Sequence, residues 1–185
     1  MVEDEQKAAG TAGPVVLHVL PVGGGIVAFS QLPGAGGDYR GDLEHLSSWR
    51  PAMVISLVSH VEMLEAGAKT LGQDVQDKGT RWVHMPIKRG EAPNATVEEA
   101  WPKVSTQVRK ALLGGGRVML HSRDGKGRSG MMALRLMIEA GEAPDEAEAR
   151  LHSVQRGAFL ESWQRNWSLK AEREPVPFVR HARSG

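Results

Sequence analysis

Along the chain, apolar positions gather into short blocks separated by glycine-rich or charged breaks. Residues 15–22 (VVLHVLPV) and 25–32 (GIVAFSQL) read as two strands joined at the Gly23–Gly25 turn, a hairpin-like start. Residues 52–58 (AMVISLV) form an apolar, β-branched run of the kind buried in a parallel sheet. Residues 60–79 read as helical or mixed, with glycines that blur the boundaries. Residues 81–87 (RWVHMPI) are the next strand, and residues 88–95 a loop. Thr96 and Glu99 have capping-box spacing and open a helix toward Leu113, with Pro102 expected early in it. Three glycines end that helix, and residues 117–122 (RVMLHS) form the strand after it. Pro144 starts a further helix whose apolar face carries Ala147, Leu151 and Val154. Residues 156–159 (RGAF) break it, and residues 160–172 give a last helix. From residue 52 onward strands alternate with helices. The fold class is therefore α/β, with a central, mainly parallel sheet flanked by helices.

Between the first strand pair and the third strand, residues 32–42 are loop, and Asp38 or Asp42 is placed to cap a short helix reaching Trp49. The chain of 185 residues fits one domain. Residues 14–172 read as that domain, with tails at 1–13 and 173–185. The formal net charge of +1 gives no global basic field, so no nucleic-acid partner is expected. With zero cysteines there are no disulfides or thiolate metal sites, which fits a cytoplasmic setting. No stretch is long and apolar enough to read as a transmembrane span. His18, His45, His60, His84 and His152 are scattered without metal-ligand spacing, so no metal or other cofactor is expected.

The candidate chemistry lies in residues 121–130, HSRDGKGRSG, at a strand-to-helix junction. Successive backbone N–H groups in such a turn make an anion-binding concavity, and the helix N-terminus adds about half a positive charge. Gly125, Gly127 and Gly130 permit close backbone approach to a ligand, and Arg128 can fork onto two phosphate oxygens. Other glycine-loop chemistries fail on residues or context. A dinucleotide fold needs another strand after the helix. A P-loop needs Ser or Thr after Lys126, where Gly127 stands, and a nucleophile elbow needs glycines where Leu120 and Asp124 stand.

The loop resembles the H-C-x5-R-[S/T] signature of cysteine-dependent protein tyrosine and dual-specificity phosphatases, matched by His121, Arg128 and Ser129. Residues 32–46, 53–63, 79–94 and 156–164 are similar in order and spacing to the kinase-associated (cyclin-dependent kinase inhibitor-like) phosphatase branch. The resemblance implies a two-step phosphoryl transfer without cofactor on a phosphorylated protein or peptide. Ser122 stands at the catalytic cysteine's position. Arg128 would clamp phosphate, Ser129 would hydrogen-bond the nucleophile and His121 would orient the loop. The amides of Arg123, Asp124, Gly125, Lys126, Gly127 and Arg128 would line a cradle for phosphate, sulfate or a vanadate-like anion.

Three departures accompany the resemblance. Ser122 replaces a low-pKa thiolate by a hydroxyl that needs a base, so the chain is expected to bind phosphate and turn over little. An engineered inactivating change and a natural pseudophosphatase both fit, and the otherwise intact loop favours the first. Arg89 stands where the family has an aspartic acid, leaving Glu91 as the candidate general acid and Asp124 as a weaker one. Leu160 replaces a glutamine of the relatives, while Gln164 retains a second one. Lys126 and Arg123 make the rim basic, which keeps a phosphoinositide phosphatase as a third reading.

Overall fold

The computed structural model describes residues 14–173. The tail read at 1–13 lies outside them, as does all but the first residue of the tail read at 173–185. Among the described residues the chain forms a five-stranded sheet, β1 (His18–Val22), β2 (Gly25–Gln31), β3 (Met53–Ser56), β4 (Arg81–His84) and β5 (Arg117–Ser122). Strand order is β1-β2-β5-β3-β4, with β1 antiparallel to β2 and the remaining pairs parallel. The last strand in sequence is therefore the central one in space. Seven helices complete the described fold: α1 (Tyr39–Ser48), α2 (His60–Glu65), α3 (Leu71–Asp77), α4 (Ala95–Leu113), α5 (Arg128–Glu139), α6 (Pro144–Val154) and α7 (Ser162–Leu169).

Strand alternation divides the core in two. Val27, Phe29, Ile55, Val118 and Leu120 face one cluster, covered by Trp101, Val104 and Val108 of α4, by α5 and by Trp167 of α7. Ala28, Val54 and Met119 face the other, covered by Leu43 and Leu46 of α1, Met63 of α2 and Leu71 of α3. The expected sheet flanked by helices is thus an α/β/α sandwich, and the carboxyl ends of β3 and β5 open on one edge. In open parallel sheets ligands bind at that edge, where the order of strands reverses.

The helix ends refine the sequence reading and correct it at the fourth helix. Asn94, not Thr96, caps α4, accepting from the Val97 N–H at 3.0 Å, so Thr96 sits inside the first turn. Because α4 begins at Ala95, Pro102 is not in its first turn but well inside the helix, where it removes a donor from the ladder. Asp38 caps α1, while the buried Asp42 carboxylate accepts from the N–H groups of Val15 (3.1 Å) and Gly34 (2.8 Å). The mixed segment 60–79 resolves into two short helices because Gly67 takes a positive φ of 71° just after α2.

Candidate active site

Ser122 is the last residue of the central strand and Arg128 the first of α5, so the sheet and the helix fix both ends of the intervening loop. His121, Ser122, Arg128 and Ser129 are all buried. The Ser122 hydroxyl donates to the Lys126 carbonyl at 3.0 Å and lies 2.6 Å from Ser129 Oγ. A hydroxyl carries one proton, so Ser129 is the donor in the second bond. The proton of Ser122 is therefore directed at a backbone carbonyl, and no base receives it.

His121 sits beside Ser122 in sequence and faces elsewhere. Its Nε2 is 2.7 Å from Ser56 Oγ, which also accepts from Trp82 Nε1 at 2.8 Å. Burial first, and then the neighbouring His84, push its pKa down to about 3, so the ring is neutral at ordinary pH. A ring that weakly basic, tied to Ser56, cannot take the Ser122 proton. The structure instead places His121 as the buried end of a Trp82–Ser56–His121 chain under the loop.

Arg128 is held by a residue that the sequence reading passed over. Its Nη1 and Nη2 meet Glu62 Oε1 and Oε2 at 2.7 and 2.6 Å, and Nη1 also donates to the Ile87 carbonyl at 2.7 Å. This is a buried, bidentate pair, with 5% and 10% of the two side chains exposed. Burial raises the Glu62 pKa, but hydrogen bonds from Arg128 and Ser59 outweigh it and hold the carboxyl below its ordinary value. Glu62 is in turn fixed by a capping box with Ser59 at the start of α2. The Nε–H and the second Nη2–H of Arg128 have no partner among the described residues. They form the guanidinium's side edge, the fork that two oxyanion oxygens fit.

The rim is exposed and charged. Arg123 pairs with Glu65 at 3.3 Å and Asp124 with Arg89 at 3.5 Å, so Arg89 ties the loop after β4 to the glycine loop. Lys126 is exposed. Glu91 lies in the turn after β4, its N–H bonded to the Lys88 carbonyl at 3.0 Å. Its carboxylate makes no hydrogen bond or ion pair among the described residues, and nothing yet brings it to Ser122.

The far side of the loop is braced by residues 155–164. Gln155 Nε2 donates to the Gly125 carbonyl at 2.7 Å, and the Gly127 N–H donates to the Ala158 carbonyl at 2.8 Å. The Gly127 amide therefore departs from the expectation that every amide from Arg123 to Arg128 lines the cradle. It points away because Ala158 accepts it. Gly130 admits a close approach of Ala158, since a Cβ there would fall 2.3 Å from the Ala158 carbonyl oxygen. Gln164 is buried, its Oε1 accepting from the N–H groups of Leu160 and Glu161 at 2.8 and 3.2 Å. Leu160 is 56% exposed beside Gly127.

No family model and no curated protein matches the chain. Solved structures do. A kinase-associated phosphatase with serine substituted for its catalytic-site cysteine superposes with a TM-score of 0.73 at 20% identity, covering 85% of this chain and 93% of that one. Tk-PTP in its active form matches with a TM-score of 0.64 at 24% identity, over 83% of this chain and 94% of that one. PTPMT1 in complex with PI(5)P matches with a TM-score of 0.61 at 17% identity, over 86% and 94%. The chain therefore has the fold shared by tyrosine and dual-specificity phosphatases.

Proposed function

We propose that this chain, with the protein tyrosine phosphatase fold, is a phosphomonoester-binding domain of the phosphatase type. Its natural ligand would be a phosphorylated protein or peptide, and Ser122 in the nucleophile's place would leave it nearly inactive. One observation carries the reading. Arg128 is locked by Glu62 at a helix N-terminus with its side fork unpaired, beside a buried pair of hydroxyls on a glycine loop. A buried cation of that geometry, with one edge satisfied and the other open, is suited to a tetrahedral oxyanion.

In the proposed roles Arg128 and the loop amides hold the three non-bridging phosphoryl oxygens. The group at 122 faces phosphorus, and Ser129 donates to it. A thiolate there would form an S–P bond as the ester P–O bond breaks, with the leaving oxygen taking a proton from an acid. Water would then cleave the S–P bond. Glu91 is proposed as that acid, reaching the site by movement of its exposed turn. In a protein carrying Ser122→Cys, Glu91→Gln is expected to slow hydrolysis of an alkyl phosphate by about a hundredfold and spare an activated aryl phosphate. An alkyl phosphate rate unchanged by Glu91→Gln would remove Glu91 from the mechanism.

A second reading is favoured by Ser122 itself: with no base at its hydroxyl, the domain would serve as a phosphate-binding interaction module. A phosphoinositide substrate rests on the basic rim of Arg123 and Lys126 and on the PI(5)P-bound neighbour. Arg128→Lys tests what all three share. It keeps the charge but loses the fork, so tungstate affinity should fall by about tenfold to a hundredfold in calorimetry. Unchanged affinity would mean that the loop is not the anion site.

A further inference from the structure

One peptide of the phosphate loop is turned the wrong way for an anion. The Lys126 carbonyl accepts from Ser122 Oγ at 3.0 Å, while the Gly127 N–H donates to the Ala158 carbonyl at 2.8 Å. A trans peptide points its carbonyl and its N–H in opposite directions, so these two bonds fix a single orientation from both ends. In this orientation a carbonyl oxygen, an electron-rich dipole end, lies against the group at 122, where oxyanion oxygens would have to pack. Gly127 makes the arrangement possible. Its φ of 69° and ψ of −93° belong to a region that side-chain-bearing residues rarely enter.

Rotation of this peptide about the axis joining its two Cα atoms would reverse it and leave both neighbours in place. The carbonyl would leave the cradle, the N–H would enter it, and φ at Gly127 would become negative. We infer that the Lys126–Gly127 peptide is a two-state switch, that Gly127 is its positioning residue, and that oxyanion binding is coupled to its rotation. The inference rests on the proposed phosphate site. Ser122 Oγ and the Ala158 carbonyl latch the closed orientation, and an oxyanion, which accepts from N–H groups, favours the open one. A thiolate at position 122 would have no proton to give the Lys126 carbonyl and would be repelled by it. The serine therefore closes its own cradle, in addition to lacking nucleophilicity.

Two substitutions at opposite ends of the peptide should act in the same direction. Gly127→Ala opposes the positive φ of the closed orientation. Its Cβ would meet Gln164 Nε2 at 2.9 Å and Leu160 Cδ1 at 3.1 Å, both ends of side chains that can shift. Ser122→Ala removes the donor that holds the Lys126 carbonyl inward. When the competent state is a minority, apparent affinity rises as that state becomes populated. Each variant should therefore bind tungstate about tenfold more tightly than the parent in calorimetry, against the usual loss caused by altering a binding loop. In the chain labelled with 13C′ at lysine and 15N at glycine, only Lys78–Gly79 and Lys126–Gly127 give carbonyl-selected amide signals, and the one lost in Gly127→Ala is that of Gly127. Saturating tungstate should shift that signal and end its bond to the Ala158 carbonyl.

If the parent binds tungstate while both variants bind equally well or worse, with unchanged thermal melts and an unmoved Gly127 amide, the cradle is rigid and the switch is wrong. The phosphate site would survive that result. If none of the three proteins binds tungstate, the phosphate site fails and the switch fails with it.

Discussion

Ser122→Cys is expected to raise turnover of an aryl phosphate near pH 6 by about three orders of magnitude or more over the chain with serine. Geometry as well as chemistry underlies the expected inactivity of the serine. Its proton goes to the Lys126 carbonyl at 3.0 Å, which cannot act as a base. The adjacent imidazole of His121 is a neutral, buried ring whose pKa is pushed down to about 3 and whose Nε2 is engaged with Ser56. A cysteine in the same place needs no base. The helix N-terminus, the Ser129 hydroxyl and Arg128 all favour its thiolate, the form that attacks phosphorus. Steady-state rates for both forms decide the matter. A cysteine form as inactive as the serine form would turn attention to the missing acid and to Leu160, and would leave the domain as a phosphate-binding partner.

The second large effect is expected at the partner of Arg128. Glu62→Ala should lower folding stability by about 3–5 kcal/mol, because it strands the Arg128 guanidinium in a buried site without its counter-charge. Glu62→Gln should cost less, since the amide oxygen can still accept one bond. Urea unfolding measures both, and a loss within about 0.5 kcal/mol for alanine would show the pair to be dispensable. Tungstate should restore part of the loss, by supplying Arg128 with another anion. The pair also has a pH signature. The Glu62 carboxyl is held below its ordinary value of 4.5 in the folded protein. Its contribution is therefore complete above that value and is lost as the pH falls through the depressed folded value.

The glycine loop was legible in the sequence because its meaning is local. A strand, three glycines, an arginine and a serine within ten residues specify the strand–loop–helix turn with Arg128 at the helix start. The sheet was legible for a similar reason, since buried parallel strands announce themselves as apolar runs. Glu62 was not, because nothing in its own neighbourhood names Arg128, sixty-six residues later, as its partner. A sign was present all the same: Ser59 and Glu62 have capping-box spacing, and the structure forms that box. The same rule misled at Thr96, where Asn94, two residues earlier, offered a stronger cap and took the helix start. The acid role proposed for Glu91 stays unplaced for a different reason. Glu91 sits in an exposed turn whose position is set by no packing that its sequence encodes, so neither residue type nor spacing could place it.

The central position of β5 bears on how the chain assembles. Without it, β1–β2 and β3–β4 are two separate strand pairs with no direct hydrogen bonds between them. During synthesis these pairs must wait, each with an unsatisfied edge, until residues 117–122 emerge and insert between them. Closure of the sheet and anchoring of the glycine loop are then the same event. A chain arrested before Arg117 would expose two sticky edges and no ligand site, whereas one long enough to complete the sheet acquires its cradle at once.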